Sequence, residues 1–397
     1  DDTSGLCVSG MFDTNADGID DIVIGAPNMD PYINNVLRVN AGAAYVIFGR
    51  AYNPANPSSW SNIDLADFWN GGSTVGFSIY GAATDDSAGS NVAGIDVNDD
   101  EIADILIGAP NGDAPSRPGS GIVYVVFGRS SAIPGSAYYA DVDLGSILIA
   151  GSVIGFAVLG ASAGDFCGGS VSGAGDVNGD GVDDMIISSL YALSGSGRTN
   201  GGISYVVFGR KVTSPSNAFS DIELSTIASG SPIGFRILGG AAFDTCGTYV
   251  SHAGDVNGDG VDDVMVASPG GVPPPVAGVQ RADAGIVHVI FGRKVTSSAN
   301  AFTDIFLATA VTGSTTLFRI YGAGVGDMSG INVRNAGDVN HDGIDDVVIG
   351  AMYANPAVGR ERAGITYVIY VSAVVSDVDL GTIATGSARG ARHARPE

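Results

Sequence analysis

Asp176-Val177-Asn178-Gly179-Asp180-Gly181-Val182-Asp183-Asp184 is the stretch on which the fold reading turns. It returns as Asp255–Asp263 and, with His341 in place of the first Gly, as Asp338–Asp346. Two more divergent copies precede it, Asp13–Asp21 and Asp96–Asp104. Self-similarity in a fixed phase along a whole chain marks repeated supersecondary units.

Two further motifs keep the same phase. Phe48-Gly49-Arg50, Phe127-Gly128-Arg129, Phe208-Gly209-Arg210 and Phe291-Gly292-Arg293 each end an apolar, β-branched run, and the fifth copy has drifted to Tyr370-Val371-Ser372. Next come Gly76-Phe77-Ser78-Ile79-Tyr80, Gly155–Leu159, Gly234–Leu238 and Leu317–Tyr321. In the third repeat, Gly169–Ser172, Met185–Ser188, Gly202–Phe208 and Phe235–Leu238 read as strands, separated by Gly and Asp. The segment Asp221–Ile227 reads as a short strand or a single helical turn. No segment sustains a 3.6-residue apolar period.

Four short strands per repeat predict an all-β β-propeller of about five four-stranded blades, alone or as part of a seven-bladed ring. A β-solenoid is disfavoured, because its coils run nearer ~20 residues. The expected domain is 1–387, with repeats at about 1–81, 82–160, 161–239, 240–322 and 323–387, followed by a basic tail, 388–397. After Asp377-Val378-Asp379-Leu380 no Gly-Phe-x-Ile strand is recognisable. Three resolutions present themselves: an irregular strand from the tail, further blades in a longer chain, or a strand donated by a neighbouring subunit. The last would make a homopolymer through an open blade edge.

Composition narrows the function. The net charge is −24, from 42 acidic against 18 basic residues, so phosphate-directed binding of nucleic acid is excluded. Apolar runs are too short for a membrane-spanning helix, and no membrane insertion is expected. A 45% hydrophobic content argues against disorder. No basic-plus-apolar leader opens the sequence, so a signal peptide is expected to have been removed or never present. Cys167 and Cys246 hold equivalent places in neighbouring repeats. A disulfide between them is compatible with those places, and buried thiols are the plainer expectation.

Half of the 42 acids lie in the five nonapeptides. Each offers oxygen ligands at positions 1, 3, 5 and 9 and a carbonyl at position 7. These are Asp13, Asn15, Asp17, Ile19 and Asp21; Asp96, Asn98, Asp100, Ile102 and Asp104; Asp176, Asn178, Asp180, Val182 and Asp184; Asp255, Asn257, Asp259, Val261 and Asp263; Asp338, Asn340, Asp342, Ile344 and Asp346. Hard oxygens at alternate positions of a tight loop suit Ca²⁺. Position 12 is aliphatic (Ile24, Ile107, Ile187, Val266, Ile349) where an EF-hand needs a bidentate Glu. Gly at position 6 permits a left-handed backbone, and Glu101 there should cost roughly 1 kcal/mol. Up to five Ca²⁺ are expected, in a structural role. Weak sites of this kind fill at extracellular calcium levels, so an extracellular or cell-surface location is expected.

Gly169–Asp184 and Ile107-Gly108-Ala109-Pro110 resemble the FG-GAP repeat, which builds the head of integrin α subunits. The resemblance extends over about residues 1–380. It implies a calcium-binding β-propeller acting in adhesion or macromolecular binding, with Ca²⁺ loops of the integrin type. A filament or surface-coat subunit is the first alternative. A propeller of a carbohydrate- or phospholipid-active protein is the second, since FG-GAP propellers also accompany catalytic modules. No catalytic residue stands out, and enzyme activity is not expected. The loops 27–41, 110–120 and Pro269–Ala284 join equivalent strands and form the expected rim for a protein or glycan partner. The arginines Arg50, Arg129, Arg210 and Arg293 are expected to pair with neighbouring carboxylates.

Overall fold

The computed structural model describes residues 2–51, 62–70, 75–130, 140–149, 152–195, 198–214, 217–310, 314–372, 376–383 and 390–393. The architecture is all-β and made of propeller blades. Blade one pairs Val8–Phe12, Asp21–Ala26, Ala43–Ile47 and Gly76–Tyr80 in sequence order. Blade two uses Asn91–Ile95, Asp104–Ala109, Ile122–Val126 and Gly155–Leu159. Blade three uses Cys167–Gly175, Asp184–Ser189, Ile203–Val207 and Gly234–Leu238. Blade four uses Tyr249–Gly254, Asp263–Ser268, Ile286–Ile290 and Leu317–Tyr321. Blade five uses Ser329–Gly337, Asp346–Ala351, Ile365–Ile369 and Gly390–His393.

One feature corrects the sequence reading, and a second decides among the alternatives it left open. The first four blades carry a fifth strand, lent by the following repeat and running parallel to the fourth. Val142–Asp143 joins blade one, Ile222–Glu223 blade two, Ile305–Phe306 blade three and Val378–Asp379 blade four. Both expectations for this segment hold in part, because the two-residue strand runs straight into a 3₁₀ turn such as Leu224–Thr226. Secondly, the tail supplies the fourth strand of blade five. Gly390–His393 pairs antiparallel with Thr366–Ile369. Its sequence hid it, since Ala391 and His393 replace the usual Phe and Ile.

The chain divides into two compact units, Asp1–Val171 with Arg210–Ser225, and Ser172–Gly209 with Thr226–Glu397. The excursion of Arg210–Ser225 into the first unit follows from the lent strand, because Ile222–Glu223 completes blade two. The core of the first unit includes Val23, Ile105, Ile107 and Tyr124. In the second, Val287, Val333, Ile349 and Tyr367 form one cluster, and Ile186, Val206, Phe235 and Val264 another. The second and third strands of blade three are buried along their whole length, the polar Asp184, Ser188, Ser189 and Ser204 included.

Aromatic rings fix the lent segments. Phe219 stacks on Phe156 at 4.4 Å, and Phe302 on Phe235 at 4.2 Å. Arg210 lies over Phe219 at 3.9 Å and Arg293 over Phe302 at 4.1 Å, a cation–π geometry. This corrects the expected carboxylate pairing of these two residues. Their guanidinium groups donate instead to the carbonyls of Asn217 and Ala218, and of Asn300 and Ala301. Cys167 and Cys246 are buried and no disulfide joins them.

Glycine is needed for two separable reasons. At Gly108 a Cβ would sit 2.1 Å from the carbonyl oxygen of Gly168, so any side chain collides with backbone. At Gly181 a Cβ would meet nothing within 4 Å, but φ is +91°. Gly108→Ala should therefore cost about 3 kcal/mol as forced overpacking. Gly181→Ala should cost only about 1 kcal/mol of backbone strain. Glu101 sits at the position equivalent to Gly181 with φ +68°, so Glu101→Gly should be neutral to stabilising, by up to about 1 kcal/mol. Urea unfolding of the three variants measures this ordering.

Candidate metal loops and the surrounding rim

Each nonapeptide lies between the first and second strands of its blade, and its ninth residue opens the second strand. Positions 4 and 6 are both left-handed in all five loops. Position 4 is Ala16, Asp99, Gly179, Gly258 or His341, and position 6 is Gly18, Glu101, Gly181, Gly260 or Gly343. The need for a left-handed backbone thus extends to position 4, beyond the position 6 that the residue types single out.

The carboxylate at position 1 gathers the turn. Asp176 accepts from the N–H of Asp180 at 2.9 Å and of Gly181 at 2.8 Å. Asp13, Asp96, Asp255 and Asp338 do the same in their loops. The position 5 carboxylates, Asp17, Asp100, Asp180, Asp259 and Asp342, accept from the N–H of position 7. That position holds Ile19, Ile102, Val182, Val261 or Ile344, whose side chains are buried or half-buried.

Position 9 behaves differently. Asp21, Asp104, Asp184, Asp263 and Asp346 are at most 1% exposed. Asp184 accepts from Val177 N–H and from Gly209 N–H, both at 3.0 Å. Asp21, Asp104 and Asp263 bond Gly49, Gly128 and Gly292 in the same way. Asp346 bonds Val371, so the drifted fifth copy keeps the backbone contact without its Gly. A Cβ on Gly49 would stand 2.2 Å from the carbonyl oxygen of Asp20, and one on Gly292 2.2 Å from that of Asp262. The Gly of Phe-Gly-Arg is thus part of the loop, a link that spacing alone did not disclose. Burial, with the nearby carboxylates at positions 5 and 1 adding to it, pushes Asp104, Asp184 and Asp263 up to about 8.

Position 3 carries an unmet need in the first two loops. The buried amide oxygens Oδ1 of Asn15 and Asn98 have no hydrogen-bond partner among the described residues. The Asn98 amide nitrogen faces Asp104 at 3.3 Å, which turns that oxygen away from the buried carboxylate. Among the described residues no three Asp, Glu, His or Cys side chains converge as a ready metal cluster, because the acids hold the loop's own N–H groups. The donor set is nevertheless all hard oxygen, the chemistry Ca²⁺ prefers. Asn178, Asn257 and Asn340 hold position 3 in the remaining loops.

Neighbouring loops are tied together. Ala103 N–H donates to the Asp13 carbonyl at 2.9 Å. In the second unit Asp262 N–H reaches the Asp176 carbonyl, and Asp345 N–H the Asp255 carbonyl. The Asp262 carboxylate also accepts from Asp176 N–H at 2.9 Å.

The loops 27–41 and 110–120 contribute to a polar hollow of about 450 Å³ in the first unit, lined by Asn28, Asp30, Asn40, Asp85, Ser87 and Asn111. Among the described residues no helix is long and apolar enough to cross a membrane.

The FG-GAP repeat family model matches residues 88–126, 248–290 and 335–369. These windows fall on the second, fourth and fifth blades. A phosphatidylinositol-glycan-specific phospholipase D of Bos taurus is 29% identical over 203 residues, 51% of this chain and 20% of that protein. Its Rattus norvegicus counterpart is 29% identical over 189 residues, 47% of this chain and 19% of the relative. Integrin alpha pat-2 of Caenorhabditis briggsae is 28% identical over 188 residues, 45% of this chain and 13% of the relative. The matched region therefore spans a fifth or less of each relative's length.

Removing the buried carboxylate should cost far more than removing an exposed one. Asp263→Ala strands the buried N–H groups of Val256 and Gly292 and should destabilise by about 3 kcal/mol or more. Asp259→Ala loses one exposed bond, to Val261, and should cost under about 1 kcal/mol. Urea titration in chelator, which removes any metal contribution, measures the difference.

Proposed function

We propose that this FG-GAP repeat protein is a calcium-stabilised extracellular module, similar to the integrin α propeller, that binds macromolecules at its loop rim. The observation that carries the calcium reading is the pair of orphaned buried oxygens on Asn15 and Asn98. They lie in loops that also hold the carboxylates of positions 1, 5 and 9. A cation bound by these oxygens and by the position 7 carbonyl would offset the burial of the Asp21 and Asp104 carboxylates. Five such ions would bring the formal charge from −24 to −14. The Asp96–Asp104 loop, with Glu101 strained at position 6, would be the weakest site.

The ion's part is structural. It would draw the loop's own oxygens together and so fasten the first strand of a blade to the second. The polar hollow at Asn28, Asp30, Asn40, Asp85, Ser87 and Asn111 supports a partner rich in hydroxyl groups, such as a glycan, over an apolar one. The phospholipase D relatives share the repeat region only, and no activity follows for this chain from that match.

Calcium at 2 mM should raise the melting temperature reversibly, and a chelator should lower it again. A site at a hundredfold excess over its Kd contributes about 2.7 kcal/mol. With ~2–4 °C per kcal/mol for units of this size, several filled sites should give a shift above about 10 °C. Asp180→Asn should reduce the calcium stoichiometry from isothermal titration by one. An unchanged melting curve in chelator would overturn the reading.

A further inference from the structure

The lent fifth strands are held by two clamps, both of them in blades one, two and four and the first alone in blade three, where Phe306 takes the place of the second acid. In the first, the residue preceding the strand bonds the third residue of the receiving strand. Asp141 accepts from Ser78 N–H, Asp221 from Ala157 N–H and Asp377 from Arg319 N–H, each at 2.9 Å. Where that third residue is Arg, its guanidinium joins in: Arg236 bonds Asp304 at 3.0 Å and Arg319 bonds Asp377 at 2.7 Å. In the second clamp, an arginine ahead of the receiving blade's third strand pairs with the acid two residues further on. These pairs are Arg38–Asp143 at 2.6 Å, Arg117–Glu223 at 2.6 Å and Arg281–Asp379 at 2.9 Å.

Blade five has both arginines and no fifth strand among the described residues. Arg392 stands opposite Tyr367, as Arg236 stands opposite Tyr205. Arg360 precedes Ala363-Gly364 at the spacing by which Arg38 precedes Ala41-Gly42 and Arg281 precedes Ala284-Gly285. Neither guanidinium has a carboxylate partner among the described residues.

Repeat one shows the converse. Asn62-Ile63-Asp64-Leu65 occupies the place of Asp141-Val142-Asp143-Leu144. It keeps the turn, since Asp64 accepts from Ala66 N–H at 3.0 Å as Asp143 does from Gly145 N–H at 2.9 Å. It also leads into a 3₁₀ helix, Leu65–Asn70. Yet it belongs to no sheet among the described residues, and Asp64 is exposed.

We propose that Ile63–Asp64 of one copy adds as the fifth strand beside Gly390–His393 of a second copy. Asp64 bonds Arg360, and the amide oxygen of Asn62 accepts from Arg392. The charges are complementary; the strand pairing repeats one used four times within the chain, and the Arg360–Asp64 clamp one used three times. Asn62 stands where the other repeats have Asp, so Arg360–Asp64 is the stronger clamp. Donor and acceptor are different surfaces, so the contact is heterologous and copies join head to tail. The inference rests on strand pairing and does not depend on calcium.

Sedimentation velocity of the 397-residue chain over a concentration series, at low ionic strength with calcium present, tests it. The native chain should grow beyond the dimer as concentration rises. Asp64→Lys, which lacks the donor, and Arg360→Ala/Arg392→Ala, which lacks the acceptor, should each associate at least tenfold more weakly. An equimolar mixture of the two variants retains one good joint and should stop at the dimer. Asp64→Arg/Arg360→Glu in a single chain should restore growth, which separates lost charge pairing from lost folding. A native chain that stays monomeric throughout, or a doubly alanine-substituted chain that grows like the native one, overturns the proposal. Calcium-dependent melting would persist in either case, so failure here is distinguishable from failure of the metal reading.

Discussion

A carboxylate sealed from water organises every repeat. Asp184 and its four counterparts are buried at the start of the second strand, and a buried carboxyl group must be met by hydrogen-bond donors. One donor is the N–H of loop position 2. The other comes from just beyond the third strand, from the Gly of Phe-Gly-Arg or, in blade five, from Val371. The bond to that Gly brings its Cα against the carbonyl of loop position 8, where no Cβ fits. Loop and Phe-Gly-Arg motif therefore recur together because they serve one buried group. Loss of that group would free the loop and the third strand at once.

The second constraint is the edge of a blade. A fourth strand left open would present unpaired N–H and C=O groups. The chain meets this by lending a strand from the next repeat, pinned by Phe219 on Phe156 or Phe302 on Phe235 and by the arginine clamps. Repeats are thus interleaved rather than merely adjacent. This explains why Arg210–Ser225, which belongs to repeat three by sequence, packs with the first compact unit. It also changes the meaning of the Phe-Gly-Arg arginines. Arg210 and Arg293 brace the incoming aromatic ring and its carbonyls, a task that needs a planar cation more than a carboxylate partner.

The loops combine rigidity with an unfinished polar inventory. Their backbone is held by the acids at positions 1 and 5, while the amide oxygens of Asn15 and Asn98 are buried without a donor. Left-handed residues at positions 4 and 6 set that geometry at some conformational cost, visible at Ala16, Asp99, Glu101 and His341, where the residue is not Gly. Stabilisation from a bound cation would be a natural compensation for such strain.

Much was legible in the residues themselves. The phase of the acidic nonapeptides, of Phe-Gly-Arg and of the Gly-Phe-x-Ile strands fixed an all-β blade architecture, since strand pattern and turn chemistry are local properties of the chain. The hard-oxygen character of the loops was likewise plain from Asp13, Asn15 and Asp17 onward. What the residues could not disclose depends on partners far apart in sequence. Asp184 meets Gly209, Arg117 meets Glu223, and Phe156 meets Phe219. Gly390–His393 became a strand although it had lost the Phe and Ile that mark its counterparts, because Thr366–Ile369 offered it a ladder. Strand identity came from periodicity, but sheet membership was decided only when distant backbone groups needed partners.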